Sequence, residues 1–80
     1  MASRANLSEK KRFLSLLRQM RLDAGLRQED LAEKLGEPQS FVSRYECGER
    51  RLDVLELRQI CRIMGISLSE FVRRLEGDSK

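Results

Sequence analysis

Residues 36–51 read GEPQSFVSRYECGERR. Pro38 fixes φ near a helix start, and Gly48 supplies the left-handed backbone at which helices commonly stop. The spacing predicts a short helix from Gln39 to about Cys47. On a helical wheel centred on Val42, Tyr45 and Glu46 fall on the inner side. Ser40, Ser43, Arg44 and Cys47 fall on the outer side, with Phe41 at one edge. A merely solvated face usually mixes Lys with Glu. This one offers an amide, hydroxyls and a guanidinium, then runs out into Arg50 and Arg51. It is suited to touching something.

Working outward, a helix from about Gln28 to Leu35 precedes it, with Leu31, Ala32 and Leu35 inward and Gly36 at its end. Only Gly36, Glu37 and Pro38 connect the two helices, which forces them to cross steeply. A steep crossing needs a small residue where the backbones approach, and Ala32 supplies it. This is the pattern of a helix-turn-helix unit, whose second helix enters a major groove. Ser8 is positioned to cap a first helix from about Glu9 to Ala24, in which Leu14, Leu17, Met20, Arg21 and Ala24 recur at helical spacing. Asp53 can cap a fourth helix to Met64, and Ser67 a fifth to about Leu75. Gly25 and Gly65 punctuate them. The expected architecture is all-α with five helices: a flexible lead at 1–7, one domain at 8–76 and a flexible tail at 77–80.

Eighty residues support one domain with a single small core. The chain is 40% hydrophobic but only 5% aromatic, and 36% charged, which suits a compact helical protein better than a sandwich or a disordered tail. There is no histidine, and Cys47 and Cys61 lie too far apart for a CxxC pair. Those two are read as reduced thiols, at least one of them packed in the core, and neither a metal site nor a cofactor is expected. Without histidine or a Gly-rich phosphate loop there is no visible catalytic apparatus, so an enzyme using Cys47 or Cys61 is the remote reading. No apolar run approaches a membrane span or a signal peptide's centre, and the expected location is the cytoplasm. The net charge is +3 and uneven. Residues 1–25 hold six Lys/Arg against two acids, residues 26–52 five against six, and residues 53–80 five against five. The basic excess sits in the first helix and its lead-in.

The stretch GLRQEDLAEKLGEPQSFVSRYECGERRLDVLELRQICRIMGISLSEF resembles the Cro/xenobiotic-response-element (XRE) helix-turn-helix family of phage and bacterial repressors. The similarity runs over about residues 13–75. It rests on the Gln28, Ala32, Gly36 and Val42 spacing, the SRYE.G exit and the GIS break before the last helix. The resemblance implies a lambda-repressor-like fold with the helix-turn-helix at the second and third helices. Gln28 matches the family glutamine that contacts a phosphate and buttresses the first residue of the recognition helix. Gln39 matches that first residue, whose amide can bond adenine N6 and N7. Ser40, Ser43 and Arg44 match the other base-reading positions, with Arg44 suited to guanine. Arg21 and Glu46 match a structural ion pair between the first and third helices.

Plainer readings stand beside these. Gln28 and Gln39 taken singly are ordinary surface amides, and Ser40 and Ser43 are helix filler. Arg44 snorkels over Phe41 to solvent, and Arg50 with Arg51 makes a solvated turn. Phe41 is either a flank of the core or a contact to a thymine methyl. Arg27 stands where the family usually has Thr, Ser or Asn as N-cap, a loss of roughly 1 kcal/mol partly offset by Glu29 and Asp30 at the helix N-terminus. Arg27 is instead a candidate phosphate contact. Because the motif region is net negative, phosphate neutralisation leans on Lys10, Lys11, Arg12 and Arg18 beside it and on Arg50 and Arg51 after it.

These readings point to a sequence-specific regulator that binds double-stranded DNA as a homodimer on a palindromic operator. Leu55, Leu68, Val72 and Leu75 are candidates for the dimer seam. In the plainer version Leu68 and Phe71 fill the monomer core and only Val72 and Leu75 are spare. The alternative of another class is an antitoxin-like or adaptor protein that uses the same fold for protein contacts. The polar outer face of the third helix favours DNA, since a protein-binding surface carries more aromatics.

Overall fold

In a computed structural model of the chain, residues 7–77 are described. They form α1 (Leu7–Asp23), α2 (Gln28–Leu35), α3 (Gln39–Glu46), α4 (Val54–Ile63) and α5 (Leu68–Leu75), with no strand among them. The expected lead and tail lie outside the described residues, apart from Leu7, which is already helical, and Gly77. Ser8 is therefore an interior residue of α1 and does not cap it.

The boundaries follow from local chemistry. α2 ends because Gly36 turns left-handed at φ 72°, which lets the Glu37 N–H reach back to the Ala32 carbonyl at 3.0 Å. α3 starts at Pro38, φ −69°, whose carbonyl accepts from the Phe41 N–H at 2.9 Å. Gly48 closes α3 with φ +89°, and a Cβ placed there would stand 3.3 Å from Leu14 Cδ1, so α1 crosses close to this exit. Asp53 and Glu56 cap each other's backbone N–H at the start of α4, at 2.7 and 3.0 Å. Ser67 Oγ accepts from the Glu70 N–H at 3.0 Å and starts α5.

All five helices feed one core. Leu17 and Met20 come from α1, Leu31 and Ala32 from α2, and Phe41, Val42 and Tyr45 from α3. Ile60 and Cys61, with Met64 just beyond α4, and Phe71 of α5 complete it. Phe13 meets Phe71 edge to face at 5.8 Å, which ties α1 to α5. Ala24, expected in the apolar stripe of α1, is exposed, because it follows the last helical turn and faces the Gly25 bend. Leu14 is half-buried. α2 and α3 pack against each other across Ala32, and this presents the outer side of α3 to solvent. Among the described residues, no helix is long and apolar enough to cross a membrane.

Candidate nucleic-acid interface

Gln39, Ser40 and Arg44 of α3 are exposed and Ser43 is half-buried. Among the described residues, the Arg44 side chain makes no ion pair or side-chain hydrogen bond. Ser43 Oγ leans on the Ser40 carbonyl at a long 3.4 Å, so its hydroxyl is free to turn outward. Cys47, just past the helix, is also exposed, while Cys61 is buried and its thiol is pushed up in pKa by that burial. Phe41 belongs to the core at 9% exposure, edge to face with Tyr45 at 5.7 Å. The guanidinium lying over its ring is that of Arg50, at 4.6 Å, not that of Arg44.

Behind this face runs a chain of side-chain hydrogen bonds. Arg21 Nε and Nη2 donate to the two carboxylate oxygens of Glu46 at 2.7 and 3.0 Å, with the side chains only 7% and 5% exposed. Arg21 Nη1 also donates to the Leu26 carbonyl at 2.9 Å, and its bond to Glu46 holds the guanidinium pKa above the ordinary value. Gln28 Nε2 donates to Glu46 Oε1 at 3.0 Å, and Gln39 Nε2 donates to Gln28 Oε1 at 3.4 Å. A buried ion pair thus connects through one amide to the first exposed residue of α3.

The arginines and lysines expected at the DNA backbone divide into two groups. Arg12 donates from Nε to the Leu75 carbonyl at 3.1 Å and from Nη2 to the Arg74 carbonyl at 3.0 Å, which satisfies the open end of α5. Arg27 lacks any acceptor for the free amides of α2. Instead it is clasped by Asp30 at 3.0 Å and Glu29 at 3.2 Å, and Asp30 also accepts from the Arg27 backbone N–H. The Arg27 bond pulls the Asp30 pKa below the ordinary value. Arg50 forms a fork on Glu56 at 3.1 and 2.9 Å. Among the described residues, Lys10, Lys11, Arg18 and Arg51 make no ion pair or side-chain hydrogen bond. Lys10 Cε and Leu14 Cδ1 both border Gly48, so Lys10 stands at the exit of α3.

Of the seam candidates, Leu55 and Val72 are 65% and 41% exposed, whereas Leu68 and Leu75 are half-buried against the core. Val54, 64% exposed, is a further apolar residue beside Leu55. It stands in helical phase with Leu57 and Cys61 at i, i+3 and i+7, so its exposure had no signal in the spacing. The Gln28–Glu46 bond had none either.

The family described as Helix-turn-helix matches residues 17–71. An XRE-family-like protein from Pseudomonas syringae pv. tomato superposes with a TM-score of 0.82 at 41% identity, covering 91% of this chain and 89% of that one. The chain belongs to the XRE-type helix-turn-helix family. Two structures of the clp gene regulator ClgR from Corynebacterium glutamicum share the XRE-type fold more distantly. One has a TM-score of 0.76 at 23% identity over 88% of this chain and 74% of that one. The other has 0.76 at 22% over 99% and 100%. Curated protein sequences give no significant match. The lambda-repressor-like arrangement of the XRE-type domain accounts for α2 and α3 as its helix-turn-helix.

Proposed function

We propose that this XRE-type domain is a sequence-specific, double-stranded-DNA-binding transcriptional regulator of the cytoplasm. It lays α3 in the major groove and acts as a homodimer on a palindromic operator. The observation that carries the reading is the outer side of α3, where Gln39, Ser40, Ser43 and Arg44 face away from the core while Glu46 is turned inward onto Arg21. Amide, hydroxyl and guanidinium groups are those that read base edges. Membership of the family and the likeness in fold to a protein named as a gene regulator support the same reading.

One α3 reads only a few base pairs, and two copies related by a two-fold axis would read half-sites about 34 Å apart. The exposed apolar residues Val54, Leu55 and Val72 support a seam at the start of α4 and along α5. Selection from random duplex oligonucleotides with the purified protein tests the reading. Recovery of a palindrome supports it. Arg44→Ala then weakens binding to the selected site by about 1–3 kcal/mol and relaxes the preference at one base pair. Failure to enrich any sequence, or an Arg44→Ala protein that binds the site as tightly as the parent, rejects it.

A further inference from the structure

Leu14 belongs to the apolar stripe of α1 yet is only half-buried. A cavity of about 180 Å³ opens beside it, between α1 and the exit of α3. Phe13 and Leu14 of α1, Tyr45 of α3 and Leu52 of the connector that follows give it an apolar lining. Gly48 borders it too. A Cβ there would stand 3.3 Å from Leu14 Cδ1 and 3.8 Å from Lys10 Cε, so any side chain at that position would narrow the space. Tyr45 is wholly buried and the Phe13 ring is held edge to face by Phe71, which keeps two aromatic walls in place. An apolar cavity of about 150 Å³ is enough to hold benzene. The space therefore suits a single six-membered ring. The rest of the lining is cationic. Lys10, Arg50 and Arg51 are all exposed, and no residue lining the cavity is acidic. Arg50 is already engaged by Glu56 and the Phe41 ring. Lys10 and Arg51 make no ion pair among the described residues, so two charges stand open beside an apolar space.

We infer that this cavity binds a small aromatic monocarboxylate, with its ring among Phe13, Leu14, Tyr45 and Leu52 and its carboxylate toward Lys10 and Arg51. A neutral ring would leave the two cations without a partner, and a bare anion would leave the apolar lining unfilled. Guanidinium and ammonium groups bond a carboxylate through charge-assisted hydrogen bonds, so the two halves of the ligand are held by different physics. The site itself follows from shape and charge alone. Its regulatory consequence rests on the reading of Lys10 and Arg51 as phosphate contacts of a DNA-binding domain. A carboxylate bound by them occupies the charges that would meet the DNA backbone. The acid then opposes DNA binding, and by linkage the operator opposes the acid to the same degree. The domain carries an inducer site beside its own reading helix.

The test titrates the isotope-labelled full chain with benzoate and follows its backbone amides by NMR. Benzamide serves as the matched neutral ring and acetate as the bare anion. Benzoate should shift the amides of Leu14, Gly48 and Leu52 in a saturable way. Benzamide should bind about tenfold more weakly or worse, for want of the charged hydrogen bonds, and acetate should shift none of them in the same range. Leu14→Phe and Leu52→Phe fill the cavity from two different walls, and each should lose the response, with thermal melts showing which variants remain folded. Fluorescence anisotropy then follows the selected operator. Saturating benzoate should raise its Kd by about fivefold or more relative to acetate at the same ionic strength. No saturable shift at those amides, benzamide binding as tight as benzoate, or a full response in a folded cavity-filling variant overturns the site. Benzoate that binds there but leaves operator affinity as it is in acetate overturns the competition with phosphate. If no operator is enriched at all, the reading of α3 falls, and the amide shifts still decide the site on their own.

Discussion

Replacing Glu46 with alanine is the most informative single perturbation of the fold. The carboxylate accepts three side-chain hydrogen bonds: from Arg21 Nε, Arg21 Nη2 and Gln28 Nε2, at 2.7, 3.0 and 3.0 Å. Its loss leaves the Arg21 guanidinium 7% exposed with one remaining acceptor, the Leu26 carbonyl. Removing one partner of a buried pair costs roughly 3–5 kcal/mol, against about 0–1 kcal/mol for an exposed one. The near-absence of solvent around both side chains selects the larger figure. A chain of this length has a total stability of about 4–12 kcal/mol, so the substitution removes a large part of it. The melting temperature then falls by about 12–40 °C, at 4–8 °C per kcal/mol. Urea denaturation followed by circular dichroism measures this directly.

The control separates a favourable pair from a stranded charge. Arg21→Met with Glu46→Leu removes both charges and fills the space, and such swaps are neutral or stabilising by about 1–4 kcal/mol elsewhere. The double variant should recover most of the stability lost in Glu46→Ala. A Glu46→Ala protein within about 1 kcal/mol of the parent would refute the reasoning, because Arg21 would then find water where the structure leaves it almost none.

Four further outcomes are expected. Arg12→Ala should lower the melting temperature by releasing the end of α5 while leaving the base preference intact, whereas Lys11→Ala should weaken DNA binding evenly across sequences without moving the melt. The buried Tyr45 hydroxyl finds no hydrogen-bond partner among the described residues, so Tyr45→Phe should keep or raise stability in a thermal melt, whereas a satisfied hydroxyl would lose about 1 kcal/mol. Asp30 and Glu56, held by Arg27 and Arg50 below their ordinary values of 3.8 and 4.5, should stabilise the fold fully at neutral pH. That contribution is lost as pH falls below those values and through the depressed folded ones, and melts of Asp30→Asn with Glu56→Gln should show a shallower acid limb. Cys61, raised by burial from 9.0, stabilises below that value and loses its contribution as pH rises further, so Cys61→Ala should flatten the alkaline side.

The helix-turn-helix was legible because its punctuation is local. Pro38 fixes φ and Gly36 and Gly48 allow the left-handed backbone whatever surrounds them, and α2 spans the Gln28–Leu35 range that the spacing predicted. Asp53 and Ser67 cap α4 and α5 for the same reason, with a side-chain oxygen three residues before an open N–H. The first helix was read less well. Ser8 has the chemistry of a cap, but the chain ahead of it is already helical at Leu7, and no rule of spacing reveals that. Long side chains were read worst. Arg12 sits 63 residues from Leu75 in sequence and beside its carbonyl in space. Arg50 is drawn to Glu56 and Phe41 by a connector whose path depends on the whole fold. Composition counts such arginines as available charge. Geometry assigns them to partners.

That assignment changes what binding should cost in salt. With Arg12, Arg27 and Arg50 counted among the phosphate contacts, seven cations per protomer would be engaged beside Lys10, Lys11, Arg18 and Arg51. Each neutralised phosphate contributes about 0.9 to the slope of log K against log salt, so seven would give about −6. Arg12 is held by backbone carbonyls, and Arg27 and Arg50 are held by carboxylates that a phosphate would have to displace. Four free cations give about −4 per protomer. The shallower slope would mean that affinity depends on base reading by α3 and on pairing of two copies more than on phosphate attraction. Anisotropy titrations of the selected operator from low to moderate salt measure it, doubled for a dimer. A slope near −6 per protomer would show that DNA pulls these arginines from their partners, and Arg27→Ala would then reduce it by about one unit.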